Sequence, residues 1–522
     1  MAGAHEGWLL AGARRRVGPD RAAHHGLGGI DAMTNQGSPS LRMLAVKAAA
    51  WYGATRLWGQ FVSWAVTILL ARLLVPHDYG LFAITLSVLA LIELLQEFGL
   101  GTALIQRQDV TRQQLNAVFW IVALTSLLLT AATFVASGTI SQFYGEPSLV
   151  WPLRLMCVTF LLNSLGVVPY SLLTKAINLR QRSLAEAYGT TAAALVALTL
   201  AYLGYGVGAL VIGQVVRAVI LNVSLSFFAG WLPDVHVDFG GTRALLTFGV
   251  GIAGSNVIGT ATTATTTFLI ARLLSGTAVG LYAMAQSLTD APIRLTAAIL
   301  NQVSLPMFSK LQHDPVSLSA SFLKMSKYLV MLTLPLQIGL ALVAPDLIPL
   351  LLASKWEAVT FPFQVLCLES SVTLFTITCL PLLTARGRVS LLFKVAVWWF
   401  AALTAATIAG IPFGLAGVMI ARLASIAPIR VFMLMATLRE LELAPAVYLR
   451  RLASPLCAVA LMVLAVTLLQ RSWPVHANQL GLLVASIAAG AITYLVALLL
   501  LDRTLVTELR TLLRDLFSVS RA

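Results

Sequence analysis

The feature that most constrains this chain is a succession of apolar runs about 20 residues long, cut apart by glycine, proline and charge. A helix of that length spans the roughly 30 Å hydrocarbon core of a bilayer. In lipid every backbone polar group must be satisfied internally, so such runs are helices, and the alternating runs of about 10 residues that mark a barrel are absent. Fourteen segments are expected, at about 48–74, 79–101, 116–137, 150–173, 184–204, 206–230, 246–274, 278–303, 325–345, 358–384, 390–410, 413–437, 453–471 and 479–501. The expected fold class is therefore all-α integral membrane. Fourteen spans of about 22 residues consume about 308 of the 522 positions. The remainder leaves no room for a soluble domain of about 100 residues.

Composition agrees. The chain is 58% hydrophobic and only 11% charged, against roughly 25% charged in soluble proteins. A large soluble enzyme and a nucleic-acid binder of the usual kind are excluded, although the net charge is +14. The 35 basic residues are scattered between apolar blocks rather than clustered on one surface. With the N-terminus in the cytosol, 26 of them fall on the cytosolic side, five (Arg72, Arg154, Arg272, Lys355, Arg471) outside, and Arg217, Arg294, Arg422 and Arg430 within spans. The positive-inside rule then puts both termini in the cytosol and requires an even number of spans.

Residues 1–47 carry Arg14-Arg15-Arg16 and no sustained apolar run, and read as a cytosolic basic tail. Met33 is a second candidate start, with residues 1–32 upstream of it. Residues 502–522 read as an amphipathic basic helix lying on the anionic inner leaflet. Cys157, Cys367, Cys379 and Cys457 lie in apolar runs without zinc-ligand spacing and are expected to be core thiols.

The chain repeats itself. Ala71-Arg-Leu-Leu, then Gly80-Leu-Phe-Ala83, recurs as Ala271-Arg-Leu-Leu and Gly280-Leu-Tyr-Ala283, an offset of 200. A weaker echo at 210 relates Pro152 and Cys157 to Pro362 and Cys367. Two six-helix bundles, 48–230 and 246–437, follow from this, with helices 13–14 (453–501) appended. Each half holds an even number of spans, so the repeat is parallel, about an axis along the membrane normal.

Pro76-His77-Asp78-Tyr79-Gly80-Leu81-Phe82 and Phe98-Gly99-Leu100-Gly101-Thr102-Ala103-Leu104-Ile105-Gln106 resemble the polysaccharide transport (Wzx-like) branch of the MOP flippase superfamily. So does the loop from Leu172-Leu173-Thr174-Lys175 to Leu179-Arg180-Gln181-Arg182. The resemblance covers about residues 45–440. It implies a V of two bundles and export of a lipid-linked oligosaccharide, carried on undecaprenyl diphosphate, across a bacterial inner membrane. A polysaccharide polymerase and glycosyltransferases are the expected partners, besides membrane lipids.

Ionisable residues within spans are costly and are functional candidates. Arg217, Arg294 and Arg422 are expected to make a cationic cavity for the substrate's diphosphate, because a guanidinium offers fixed bidentate donors. The bland alternative for each is pairing with a carboxylate or with backbone. Glu93, Glu97, Asp290 and Glu369 are candidates for ion coupling; an i,i+4 pair between Asp290 and Arg294 is the competing reading. Pro169, Pro292, Pro306, Pro335 and Pro381 interrupt spans as kinks or bending points. No metal, nucleotide or nucleophile motif is present, so the chain reads as a non-enzyme without a cofactor. A MATE-type multidrug antiporter, a non-transporting scaffold for polysaccharide assembly and a multi-span glycosyltransferase are the rival readings.

Overall fold

Helix is the only regular structure among the described residues. The structure, a computed structural model, describes residues 58–60, 62–96, 100–107, 110–176, 178–236, 242–474 and 478–502, with backbone alone for 242–256, 291 and 294–303. Both tails, Met33, Glu97 and the Arg294 side chain fall outside that description. Residues 52–522 form one unit.

The first half comprises α1 (62–73), α2 (Pro76–Glu93), α3 (Leu100–Gln106), α4 (Arg112–Tyr144), α5 (Val150–Met156), α6 (Val158–Lys175), α7 (Leu179–Tyr202) and α8 (Val207–Ala229). The second comprises α9 (Thr242–Leu273), α10 (Gly276–Leu311), α11 (Pro315–Leu352), α12 (Thr360–Leu374), α13 (Cys379–Ala385), α14 (Val389–Gly410) and α15 (Gly414–Glu440). Helices α16 (Pro445–Ser472) and α17 (Gln479–Leu501) follow and pack on α11. Nine segments among the described residues are long and apolar enough to cross a membrane. The chain is thus a multi-pass membrane protein.

Three expected runs are interrupted, each with a physical reason. The run 79–101 turns at residues 94–96, which sends Gln96 inward to donate to Ser126 Oγ (2.9 Å) and the Phe160 carbonyl (2.8 Å). The run 150–173 bends at Cys157, whose carbonyl accepts from Thr130 Oγ1. The run 358–384 breaks over residues 375–378, just ahead of Pro381, which has no N–H for the carbonyl four residues back. Tyr448 Oη donates to the nearby Phe375 carbonyl at 2.7 Å. Pro292, Pro306 and Pro335 instead sit within continuous helices. At 36 and 38 residues, α10 and α11 run about 54 and 57 Å, well beyond the hydrocarbon core. Cys157, Cys367 and Cys379 are buried, but Cys457 is exposed, so the expectation of four core thiols is corrected at that position.

The two halves meet where α2 crosses α10, and four residues of the first half's Pro76–Gly80 motif have tasks around it. Pro76 opens α2, where its missing N–H costs nothing. Asp78 accepts from the Val75 N–H (3.3 Å) and from the Val207 N–H (3.1 Å), tying the start of α2 to that of α8. The Tyr79 ring stands edge-on to Trp356, centroids 5.2 Å apart. Gly80 lets the α10 backbone approach closely.

Beside this crossing the halves cap one another's helices. Arg72 donates through Nε to the Leu351 carbonyl (2.8 Å) and through Nη2 to the Leu350 carbonyl (2.7 Å), at the C-terminus of α11. In return Lys355 Nζ donates to the Arg72 carbonyl (2.8 Å) and Trp356 Nε1 to the Ala71 carbonyl (2.7 Å), at the C-terminus of α1. Last-turn carbonyls lack partners within their own helix, and here each half supplies them to the other. Trp356 is fully buried in a core shared with Ala71, Ile84, Val279, Ile348 and Phe363.

Candidate functional site

In the first half, α1, α7 and α8 border a cleft of about 550 Å³. Its wall is polar for a chain of this composition: Gln60, Ser63, Thr67, Glu186, Gln214 and Arg217 face it. Glu186 is held by Arg182, one turn away, at 3.3 Å. Arg217, midway along α8, makes no hydrogen bond or ion pair among the described residues and is exposed. A guanidinium with its full set of donors open can take two oxygens of one phosphate.

In the second half the chain builds a buried polar relay across α10, α12 and α15. Arg422 grips Glu369 with both arms of its fork, Nε to Oε2 at 3.1 Å and Nη2 to Oε1 at 2.9 Å. Its Nη1 donates to Tyr282 Oη at 3.2 Å. Tyr282 donates to Gln286 Oε1 (3.4 Å), and Gln286 Nε2 donates to Asp290 Oδ1 (2.6 Å). Every donor points the same way, from arginine through tyrosine and glutamine to aspartate. Arg422 and Glu369 are 6% and 8% exposed, so each neutralises a charge that would be prohibitive alone.

Of the residues singled out in the sequence, Glu369, Arg422 and Asp290 are thus brought into one network. Arg217 and Arg422 do not meet: the first lines the cleft of its half, the second points into the core of its own. Glu93 lies exposed at the end of α2. Arg294 lies on α10. Tyr282 and Gln286 are added by the fold. Their signal was spacing, since 282, 286 and 290 fall on one helical stripe, but neutral polar residues raise no alarm in an apolar run. Gln96, 1% exposed, is silent in the sequence for the same reason. Among the described residues no cluster of three His, Cys, Asp or Glu is set to hold a metal.

Comparison with known proteins places this architecture. A family model described as "Polysaccharide biosynthesis protein" matches residues 69–360. The succinoglycan biosynthesis transport protein ExoT of Rhizobium meliloti (strain 1021) is 25% identical over 454 residues, 85% of this chain and 91% of that one. The lipopolysaccharide biosynthesis protein WzxC of Escherichia coli (strain K12) is 23% identical, over 68% of this chain and 73% of that one. Among solved structures, the lipid II flippase MurJ in an inward closed conformation superposes with a TM-score of 0.72 at 16% identity. It covers 87% of this chain and 99% of that one. At such identity the likeness speaks for the fold, which is MurJ-like. With more than half its length matched, the chain belongs to the polysaccharide biosynthesis protein family.

Proposed function

We propose that this chain flips a lipid-linked oligosaccharide, the repeat unit of a polysaccharide on undecaprenyl diphosphate, across the bacterial inner membrane by alternating access. The reading rests on the family and on its similarity to a succinoglycan transport protein and a lipopolysaccharide biosynthesis protein. The structural observation that carries it is Arg217, midway along α8 in a polar cleft and without a hydrogen bond or ion pair among the described residues. An anion is the ligand such a group is suited to, and a lipid diphosphate supplies one at that depth. A cation antiporter has no use for it.

In this proposal the chain has fourteen spans, two parallel-repeat six-helix bundles (48–230 and 246–437) and an added pair (453–501). Both termini are cytosolic. The capped junction of Arg72, Lys355 and Trp356 is then the outer gate, shut in the structure described here. Opening outward requires these four hydrogen bonds to break while the cytosolic side closes. Arg217 binds the diphosphate, with Arg294 adding positive charge to the path and Arg422 adding its own only when Glu369 releases it. The relay from Arg422 to Asp290 couples the two states to an ion. An ion that displaces Arg422 from Glu369 frees the guanidinium and loosens the tie between α12, α15 and Tyr282 of α10. Glu93 and Glu97 are the corresponding acids of the first half. A polymerase and glycosyltransferases work on the same glycan on either side.

The decisive experiment is deletion of the gene followed by assay of undecaprenyl-linked glycan on each leaflet. The expected result is accumulation on the inner leaflet, reversed by the wild-type gene and not by Arg217→Ala. Normal appearance of the glycan on the outer leaflet in the deletion strain overturns the reading.

A further inference from the structure

About 35 Å along α11 from Leu350, at the opposite end of the helices from the capped junction, α16 and α17 close on α11 around a second cavity. Its volume is about 310 Å³, and its lining includes Lys327, Arg450, Arg451, Ser454, Cys457 and Asp502. Lys327 Nζ lies 2.5 Å from Asp502 Oδ2, and Ser454 Oγ donates to the same oxygen at 2.8 Å. Lysine and aspartate are both buried, at 6% and 4% exposure. The one carboxylate in the lining is therefore occupied by its own neighbours. Arg450 and Arg451 are exposed and make no hydrogen bond or ion pair among the described residues. The lining carries three cations against one anion, and two of those cations have their donors free.

The level of the cavity narrows its ligand. The apolar stretch of α16 begins just beyond Arg451, and that of α17 ends at Leu501. The cavity thus opens where hydrocarbon gives way to headgroups. Exposed leucines on the same two helices (Leu461, Leu464, Leu495, Leu499) offer apolar surface to lipid chains alongside. Basic pockets between membrane helices at this level take anionic headgroups, and paired guanidinium forks match phosphate oxygens.

We infer that the cavity between α11, α16 and α17 holds the phosphate of a membrane lipid headgroup, gripped by Arg450 and Arg451 and buttressed by the Lys327–Asp502 pair. This role is separate from transport through the Arg217 cleft and stands whether or not the chain is a flippase.

The test uses the full-length purified protein in phosphatidylcholine nanodiscs, with bound lipid read by native mass spectrometry. One arm adds phosphatidylglycerol, the other farnesyl diphosphate, so that a bulk phospholipid and a polyprenyl diphosphate are told apart. Wild type should retain at least one of them over phosphatidylcholine, and R450Q/R451Q should retain about 25-fold less of it, from roughly a fivefold loss per arginine. R439Q, which removes an exposed arginine at the end of α15, should retain wild-type levels. Elution as a single folded species is checked for each variant before binding is scored. Equal retention by wild type and R450Q/R451Q in both arms overturns the proposal. So does an equal loss in R439Q, which would mean diffuse surface charge.

Discussion

Gly80 and Gly280, 200 positions apart in the chain, face each other across the junction of the two halves in matching surroundings. A Cβ on Gly80 would lie 1.8 Å from the Gly276 carbonyl oxygen, and one on Gly280 would lie 1.8 Å from the Pro76 carbonyl oxygen. The contacted residues are themselves related by the same offset of 200. Backbone stands where any side chain would have to go, so the helices must separate to admit even a methyl group. Gly80→Ala and Gly280→Ala should each destabilise the closed junction by about 1–3 kcal/mol, as overpacking does. Gly138→Ala and Gly339→Ala, whose new methyls would meet nothing within 4 Å, should be neutral or raise stability by up to about 1 kcal/mol through helix propensity. Thermal unfolding of the four purified variants compares the two groups.

Trp356 holds the junction by two means, a fully buried ring and one indole hydrogen bond to the Ala71 carbonyl. Trp356→Phe removes the bond and keeps most of the ring, and should cost about 1 kcal/mol. Trp356→Ala removes both, and should cost about 3–5 kcal/mol of closed-state stability. Reaction of an engineered Ala71→Cys with an impermeant thiol reagent applied from outside should rise in that order, in a background with the exposed Cys457 replaced. No rise with Trp356→Ala would mean that this end is not the gate.

Glu369 and Arg422 belong to different helices, and their coupling is measurable. Removing either partner leaves a buried charge without its counterion, at a cost of about 3–5 kcal/mol. Arg422→Gln and Glu369→Gln should each show that loss, and the double variant should lose much less than the sum. A double-mutant cycle on unfolding midpoints reads the difference. With Glu369 as an ion-coupling residue, Glu369→Gln should also flatten the response of transport to an imposed ion gradient.

What the sequence made legible here was what repeats locally or stands out against an apolar background. The Ala-Arg-Leu-Leu register is such a case, and the same register now meets itself at Gly80 and Gly280. Arg422 and Glu369 were visible as charges in apolar runs, but 53 residues separate them, and nothing local to either names the other. Trp356 and Lys355 lie between two apolar runs, and only the fold shows that they cap a helix nearly 300 residues earlier. Arg217 was visible as a charge, while its freedom from partners is a property of the packing around it.

Asp314 gives the clearest pH dependence outside the membrane. It caps α11, its Oδ1 accepting from the Val316 N–H (3.2 Å) and the Ser317 N–H (3.1 Å). The Ser317 hydroxyl, with these N–H groups in support, holds its carboxyl below the usual range. A lowered folded value means the cap's contribution is complete above the ordinary carboxylate pKa of about 3.9. It fades as pH falls through the lowered value. Asp314→Asn, which caps without titrating, should show a shallower loss of stability between about pH 5 and pH 2 than wild type. Parallel curves would mean that the carboxylate is not the capping species.

Arg217 separates stability from function. Because it has no partner among the described residues and is exposed, Arg217→Ala removes no internal contact. Its effect on unfolding should stay within about 0.5 kcal/mol. Loss of a charged hydrogen-bonding group from a phosphate costs about 1.5–3 kcal/mol, or roughly 10- to 150-fold in affinity. Export of the lipid-linked glycan should fall accordingly, with Arg217→Lys between the two because it keeps the charge and loses the fork. Glycan export by the variants, scored against their unfolding midpoints, checks this. A fall in export matched by a fall in stability would make Arg217 a structural residue, and export unchanged in Arg217→Ala would take the anion out of that cleft.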